Sequence, residues 1–438
     1  MSADWPVRSL SEIVDFQTGR LDSNAAEEHG KYPFFTCSPT TLAINTFAFD
    51  DEAVLLAGNN ANGVFPIKYY QGKFNAYQRT YVLTPKDKTK VSVRWLYFRI
   101  KHVTSELQQM SVGTATKFLT KKILDAYEVQ LPSFQEQEKC AHILWSLQDK
   151  IELNRQTNQT LEEMAQAVFK SWFVDFEPTR AKIKARENGQ DPTRAAMAAI
   201  AGKTVDQLDT LSPEQINSLT TTADLFPDTL VAAELGEIPE GWQLSEIGNE
   251  VSIAGGGTPS TKNEEFWEGG HIHWTSPKDM SNLTDKILLE TARKITQAGL
   301  DKISSGLLPA DTVLMSSRAP VGYLAISKIP VAINQGYIAM TCEGALSPEF
   351  VVQWAESIMD DIKQRASGTT FAEISKKNFK IIPVIVPDAD LISEYTQVVR
   401  YFYNQITENL RETKTLSEIR DTLLPRLLSG EITLSEAV

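Results

Sequence analysis

From Cys140 onward the core-type positions fall alternately four and three residues apart: Cys140, Leu144, Leu147, Ile151, Asn154, Asn158, Leu161, Ala165, Val168 and Trp172. This is a heptad seam, the pattern that lets helices pack side by side as a coiled coil. Pro132 and a capping box of Ser133 and Glu136 mark its start. The same spacing returns at Tyr395, Val399, Phe402, Ile406, Asn409, Thr413, Leu416, Arg420, Leu423 and Leu427, and Gly430 supplies a helix stop. Two long helices are therefore predicted, each of roughly 40 residues and on the order of 60 Å long at about 1.5 Å per residue. Polar residues occupy the middle of both seams, Asn154 and Asn158 against Asn409 and Thr413. They either fix the register from buried positions, at some cost in stability, or lie solvated on a helix face. Their recurrence in both helices favours the first.

Ahead of each seam the pattern changes. Short β-prone runs at Ala53–Ala57, Tyr77–Leu83, Thr312–Ser316 and Tyr337–Thr341 alternate with loops rich in Gly, Asn, Ser and Pro, interrupted by helical patches at Val93–Val103 and Pro348–Gln364. The stretch from Glu177 to Glu240 is polar, alanine-rich and acidic, with short helices expected near Thr193–Ala201 and Pro213–Leu219.

The two halves repeat. Gly113, Thr114, Lys121, Lys122 and Pro132 recur 255 positions on as Gly368, Thr369, Lys376, Lys377 and Pro387. The same offset matches Ile151, Asn154, Thr160, Leu161 and Glu163 to Ile406, Asn409, Thr415, Leu416 and Glu418. Upstream the offset drifts: Leu10–Ile13 returns as Leu244–Ile247, Val54, Leu55 and Gly63 as Val313, Leu314 and Gly322, and Gln78 as Gln335. A period so far above 50 residues means duplicated domains rather than a solenoid. The fold class expected is α/β (α+β): two similar domains joined by two long helices in a pseudo-two-fold repeat. Antiparallel packing of the helices would place one domain at each end of the pair. The segments are 1–132 and 241–387 for the domains, 133–178 and 388–438 for the helices, and 179–240 for the connector.

With 438 residues and 42% apolar composition the chain can bury ordinary cores. No run approaches 18 apolar residues, and the opening MSADWPVRSL lacks a basic region followed by an apolar stretch, so a cytoplasmic protein is expected. Cys37, Cys140 and Cys342 are odd in number and widely spaced, which favours reduced thiols over a disulfide framework or a zinc site. The net charge of −13 is unevenly spread. It is +2 over 1–132, −8 over 133–240, −3 over 241–387 and −4 over 388–438, so the domains stay near neutral and free to present a local basic face. Phosphate binding by counterion release needs many Lys and Arg contacts, so a basic partner that completes the cleft is expected.

Catalytic motifs are missing from this sequence. Gly255–Gly257 lacks the Gly-Lys-Ser/Thr continuation of a P-loop and reads as a tight loop, while the Gly202–Thr204 GKT has Met197 where the first glycine belongs. His271 and His273 have no companion at ligand spacing, so no metal or cofactor is expected. No GxSxG, no HExxH, no nuclease-type PD…ExK and no Asn/Asp-Pro-Pro-aromatic methylation signature occurs. The chain is expected not to be an enzyme.

The run from Leu131 to Pro178 (LPSFQEQEKCAHIL…FVDFEP) resembles the central conserved region of the specificity subunit of Type I restriction-modification systems. Gly368–Pro387 (GTTFAEISKKNFKIIPVIVP) and Leu423–Ile432 (LLPRLLSGEI) resemble that family's distal conserved region, and Glu234–Trp242 (ELGEIPEGW) its usual entry to the second variable domain. The resemblance implies two target-recognition domains, each reading one half of a bipartite double-stranded DNA site. It also implies two helices that set the spacer and dock two methyltransferase subunits, with restriction translocase subunits in the full complex. The rival reading is a structural scaffold whose two domains bind protein.

Base edges are read by Arg, Lys, Asn and Gln, while Ser, Thr and backbone amides hold phosphates. On that ground the DNA-contact candidates in the first domain are Asn59, Asn60 and Asn62, flanked by Lys68, Lys73 and Arg79. Ser316, Ser317 and Arg318 stand at the corresponding place in the second, setting Asn59 opposite Arg318 on one scaffold. Thr116 and Lys117, with Thr369 and Thr370, follow the repeated glycines and are candidates for gripping phosphate. An Asn-rich turn chosen for left-handed backbone, and a Gly-Thr loop that packs each domain on its helix, are the structural alternatives.

Overall fold

A computed structural model describes residues 4–60, 63–234, 236–368, 372–432 and 434. The chain divides into two compact units, one of Met1–Leu153 with Glu412–Val438, the other Asn154–Arg411. Both long helices contribute to both units.

The first long helix runs Phe134–Phe169 and the second Ala389–Leu428. The predicted capping box closes the first: the Ser133 N–H donates to Glu136 Oε2 at 3.0 Å and the Glu136 N–H to Ser133 Oγ at 3.3 Å. That helix is shorter than the expected 133–178. A π-helical turn at Lys170–Val174 and a left-handed Phe176, φ 53°, break it before a separate helix, Glu177–Glu187. Aromatic packing accounts for the break, since Trp172 and Phe173 turn into a cluster with Phe226, Trp242, Phe350 and Tyr395. Edge-to-face pairs of this kind are worth about 0.5–1.5 kcal/mol each beyond area burial.

The helices are antiparallel within each unit. Cys140 Sγ meets the Leu427 carbonyl at 3.8 Å and Arg420 donates to Gln148 Oε1 at 2.8 Å, both in the first unit. In the second, Asn154 Nδ2 donates to the Asn409 carbonyl at 3.4 Å and Asn409 Nδ2 to Asn158 Oδ1 at 2.8 Å. Asn154 and Asn158 are buried, so the mid-seam amides are interior groups. Of the expected seam, Leu144, Ile151, Val399 and Ile406 are fully buried; Leu147, Leu161, Val168, Phe402, Asn409, Thr413, Leu416 and Leu423 are half-buried.

The first unit carries a six-stranded sheet in the order Val14–Thr18, Thr80–Pro85, Phe49–Ala57, Ile67–Ala76, Tyr32–Phe35, Leu42–Ile44. The second carries a five-stranded sheet, Ser252–Ala254, Tyr337–Thr341, Thr312–Ser316, Leu324–Ser327, Ile287–Leu288, and a three-stranded one, Arg293–Ile295, Ile272–Thr275, Ala332–Ile333. Strand registers align the two. Val54 pairs with Leu83 and Val313 with Met340, in central strands of the same order, so Val54 corresponds to Val313 and Leu83 to Met340. The Ile67–Ala76 strand is unbroken in the first unit, whereas its counterpart splits into Leu324–Ser327 and Ala332–Ile333. Pro330 lies in the gap, and proline has no N–H to give a ladder.

One echo is out of register. The Leu10 N–H bonds the Tyr127 carbonyl and the Ile247 N–H bonds the Ile382 carbonyl, so Leu10 corresponds to Ile247 and the LSEI match to Leu244–Ile247 is shifted by three residues. Both places need a short strand, then a buried aliphatic opening a single helical turn, and a four-residue match satisfies that pattern in more than one register.

Each body also ends its sheet with a helix capped by an equivalent serine, Ser92 for Val93–His102 and Ser347 for Pro348–Ser357. The expected helix Pro348–Gln364 breaks at Ile358 into two. From those helices Arg94 lies over the Trp145 ring at 5.8 Å in one unit, and Glu349 takes Arg400 at 2.8 Å in the other. Both contacts tie the body to the long helix that follows it. The connector folds as helices Glu177–Glu187, Pro192–Ala201 and Pro213–Asp224, the last two closed over Ala196, Met197, Leu208 and Ala223.

Candidate nucleic-acid interface

At the end of the central strand of the first unit, Gly58 opens a loop in which the Gly58 N–H bonds the Arg79 carbonyl and the Gly58 carbonyl accepts from Leu119. Asn59 and Asn60 then pair antiparallel with Phe118 and Lys117. The Cys37 thiol donates to Asn59 Oδ1 at 3.0 Å, and the Arg79 guanidinium lies 5.9 Å over the Phe118 ring. Lys117 crosses Gly63, whose φ is 69°. Thr36, Cys37, Ser38, Asn59, Asn60 and Tyr77 are among the residues that line an open cleft here. Of the first-domain candidates, the structure brings Asn59, Asn60, Arg79, Lys117 and the half-buried Thr116 to this corner. Asn62 lies outside the described residues.

Lys68 and Lys73 fall elsewhere. Lys68 stands opposite Leu55 inside the sheet, its ammonium buried against Phe35, and burial pushes its pKa down. This makes it a poor phosphate ligand, because a charge held among apolar atoms is not presented to a surface. Lys73 stands opposite Asp50 with Nζ 4.7 Å over the Phe47 ring, and no described contact joins it to the Asn59 loop.

The second unit repeats the corner. Arg318 bridges Glu373 as Asn59 bridges Phe118, and Ser367 bridges Glu373 as Val112 bridges Phe118. Arg318 Nη1 stands 3.7 Å from Glu373 Oε2, with side chains 37% and 46% exposed. Beside them the Thr258 hydroxyl donates to Gln335 Oε1 at 2.6 Å. Ser316 and Ser317 are buried, which removes them as surface contacts. The Ser316 hydroxyl donates to the Pro320 carbonyl and accepts from the Tyr323 N–H, while Ser317 exchanges backbone bonds with Gly336 and Ile374. Sequence placed these serines by their neighbour Arg318; the turn they build engages the Ser316 hydroxyl and the Ser317 backbone groups. Thr369 and Thr370 lie outside the described residues.

Glycine geometry supports one shared backbone. A Cβ on Gly19 would meet the Ala76 carbonyl oxygen at 1.6 Å, and one on Gly256 the Ile333 carbonyl oxygen at 1.8 Å. Gly256 thus serves close chain approach within the expected tight loop, and Gly19 is its counterpart, missed in the sequence because Thr18 and Arg20 hide it among ordinary residues. Glu373 and Gln335 are likewise surface groups that sequence reasoning did not nominate as contacts.

His273 Nδ1 pairs with Thr291 Oγ1 at 3.0 Å, and burial lowers its pKa. Among the described residues no group of three His, Cys, Asp or Glu is placed to hold a metal ion, and no helix is long and apolar enough to cross a membrane.

Residues 2–163 and 239–413 match the Type I restriction modification DNA specificity domain. The chain belongs to the Type I restriction-modification specificity family. It is 34% identical over 323 residues to the Type I restriction enzyme HindI specificity subunit of Haemophilus influenzae, covering 70% of each chain. To the Escherichia coli EcoDI specificity subunit it is 39% identical over 172 residues, 38% of this chain and 37% of that one. The crystal structure of the Type I restriction-modification system S subunit from M. genitalium covers 98% of this chain and 97% of its own at a TM-score of 0.60 and 16% identity, a likeness of fold. The family's two matched regions contain the two equivalent corners described above, and the three connector helices between Glu177 and Asp224 lie outside both matches.

Proposed function

We propose that this chain is the sequence-reading subunit of a Type I restriction-modification complex. Each body reads one half of a bipartite double-stranded DNA site at the strand-end corner. The antiparallel helices set the distance between half-sites, and methyltransferase and restriction translocase subunits carry out the chemistry in the cytoplasm. The relatives' shared name, specificity subunit, points the same way. One observation carries the reading: a corner built on the same registers in both copies, with Asn59 and Phe118 in one and Arg318 and Glu373 in the other. A scaffold kept while its surface groups differ is what reading two different half-sites requires.

A second repeat supports two copies of one partner. Thr160, Glu163 and Met164 on the first helix correspond to Thr415, Glu418 and Ile419 on the second, and all six are exposed. Packing does not demand that exposed residues recur, whereas two identical partners do. An apolar centre flanked by polar groups is ordinary interface composition.

The complex purified with its modification subunits should shift a DNA carrying the motif methylated in its host and release it to a scrambled competitor. Loss of all sequence preference would instead support the scaffold reading, and turnover of DNA by this chain alone would overturn its non-catalytic assignment.

A further inference from the structure

The two corners are chemically different in a way that names bases. On the first, Asn59 offers a carboxamide whose Oδ1 already accepts the Cys37 thiol at 3.0 Å. A carbonyl oxygen has a second lone pair, and the amide nitrogen two donors, so the group retains the donor and acceptor that match adenine N6 and N7. On the second, Arg318 presents a guanidinium, the fork that matches guanine O6 and N7, and Glu373 an acceptor of the kind that takes the cytosine N4 amine.

We propose that Arg318 and Glu373 read a G·C pair in the second half-site, at the place where Asn59 reads an A·T pair in the first. This rests on the reading of both bodies as DNA-recognition domains. Backbone register makes the places equivalent. Counting from Val54 and Val313, which hold the same position in their sheets, the fifth residue is Asn59 in one and Arg318 in the other. Their bridging partners are Phe118 and Glu373, 255 positions apart. Arg318 and Glu373 are each more than a third exposed and 3.7 Å apart, so they hold one another near the surface at little energetic advantage. Exchanging that contact for base edges therefore forfeits little. Phe118 has no polar side-chain group, so the strand partner of Asn59 supplies no acceptor of the kind Glu373 supplies to Arg318, and the nearby cation, Arg79, lies 5.9 Å over the Phe118 ring.

The test uses the whole system in a host lacking other adenine and cytosine methylation, with the modified motif mapped by long-read sequencing. Wild type should give a bipartite motif; failure to do so would defeat the DNA-reading assignment itself. Given that motif, Arg318→Ala should relax one G·C position in one half-site and leave the other half intact, Arg318→Lys should keep guanine there, and Asn59→Ala should relax one A·T position in the opposite half. An unchanged motif in Arg318→Ala, or relaxation at an A·T pair, overturns the proposal. Where a variant methylates too weakly to map, the purified complex is titrated against duplexes substituted one pair at a time. Wild type should discriminate roughly tenfold to a hundredfold at the G·C position. For Arg318→Ala that ratio should fall to about one, and a ratio that persists overturns the proposal. Thermal unfolding at the wild-type midpoint checks that the variant chain is folded.

Discussion

Asn154 donates its side-chain amide to the backbone carbonyl of Asn409, and the two residues are 255 positions apart, the offset of the internal repeat. Each is therefore the other's counterpart. A residue meets its own copy where two helices pack antiparallel in matched register, and this contact shows that register within the second unit. Asn409 completes a relay by donating to Asn158 Oδ1 at 2.8 Å.

The relay should be worth stability as well as register. Asn409→Leu removes a donor from the buried Asn158, and an unmatched interior polar group costs about 1–3 kcal/mol. Urea unfolding of the full chain should show a loss in that range. A midpoint at the wild-type value would mean that water already serves the seam.

Glu162 ties the first long helix to the second unit's body. Its Oε1 accepts from Lys286 at 2.8 Å and Gln353 at 2.9 Å, and Gln353 also donates to Tyr403 at 2.7 Å. Glu162 and Lys286 are 18% and 17% exposed. Glu162→Ala should lower stability by about 1–3 kcal/mol, at the low end because Glu356 remains 3.4 Å from Lys286. Glu162→Gln, which keeps an acceptor, should lose less, and equal losses for both would assign the effect to packing alone.

Asp285 gives the fold a pH signature. Burial raises its pKa, with Glu162 adding to the rise, while hydrogen bonds from Thr284 and Asn158 and the charge of Arg155 pull the other way. The native carboxyl thus holds its proton more tightly than the unfolded one, whose value is about 3.9. Ionised Asp285 weakens folding as pH rises above that value, until native titration is complete. Asp285→Asn should therefore gain thermal stability over wild type at neutral pH, with the gain shrinking as pH falls toward about 4. A gain independent of pH would contradict this assignment.

The repeated exposed face should bind one partner per helix. Met164→Lys and Ile419→Lys should each reduce the complex from two modification subunits to one in native mass spectrometry, and together to none. Retention of two by either single variant would exclude that residue from the interface.

Much of this arrangement was legible in the sequence because a heptad seam obeys one rule over ten positions, and Ile151, Asn154 and Ile406 could not keep it by accident. Strands such as Thr312–Ser316 and Tyr337–Thr341 also showed, being β-prone runs between breakers. Short elements did not: LSEI fits two registers, and four residues cannot choose between them. The π-helical turn at Lys170–Val174 was hidden because the aromatic cluster that bends it draws on Trp242, Phe350 and Tyr395, all distant in sequence. At the corner, Asn59 and Arg318 were readable from the drifting offset alone. The burial of Ser316 and Lys68 depends on which way a strand faces and how its turn closes, neither of which composition records.

The central claim is that the helices set the separation of two half-sites. Adding one heptad to each, seven residues at matched positions in the seam, keeps every core position in register and lengthens the pair by roughly 10 Å. At about 3.4 Å per base pair, mapping the methylated motif should return the same two half-sites with a spacer roughly three base pairs longer. An unchanged spacer, or altered half-sites, would contradict the account.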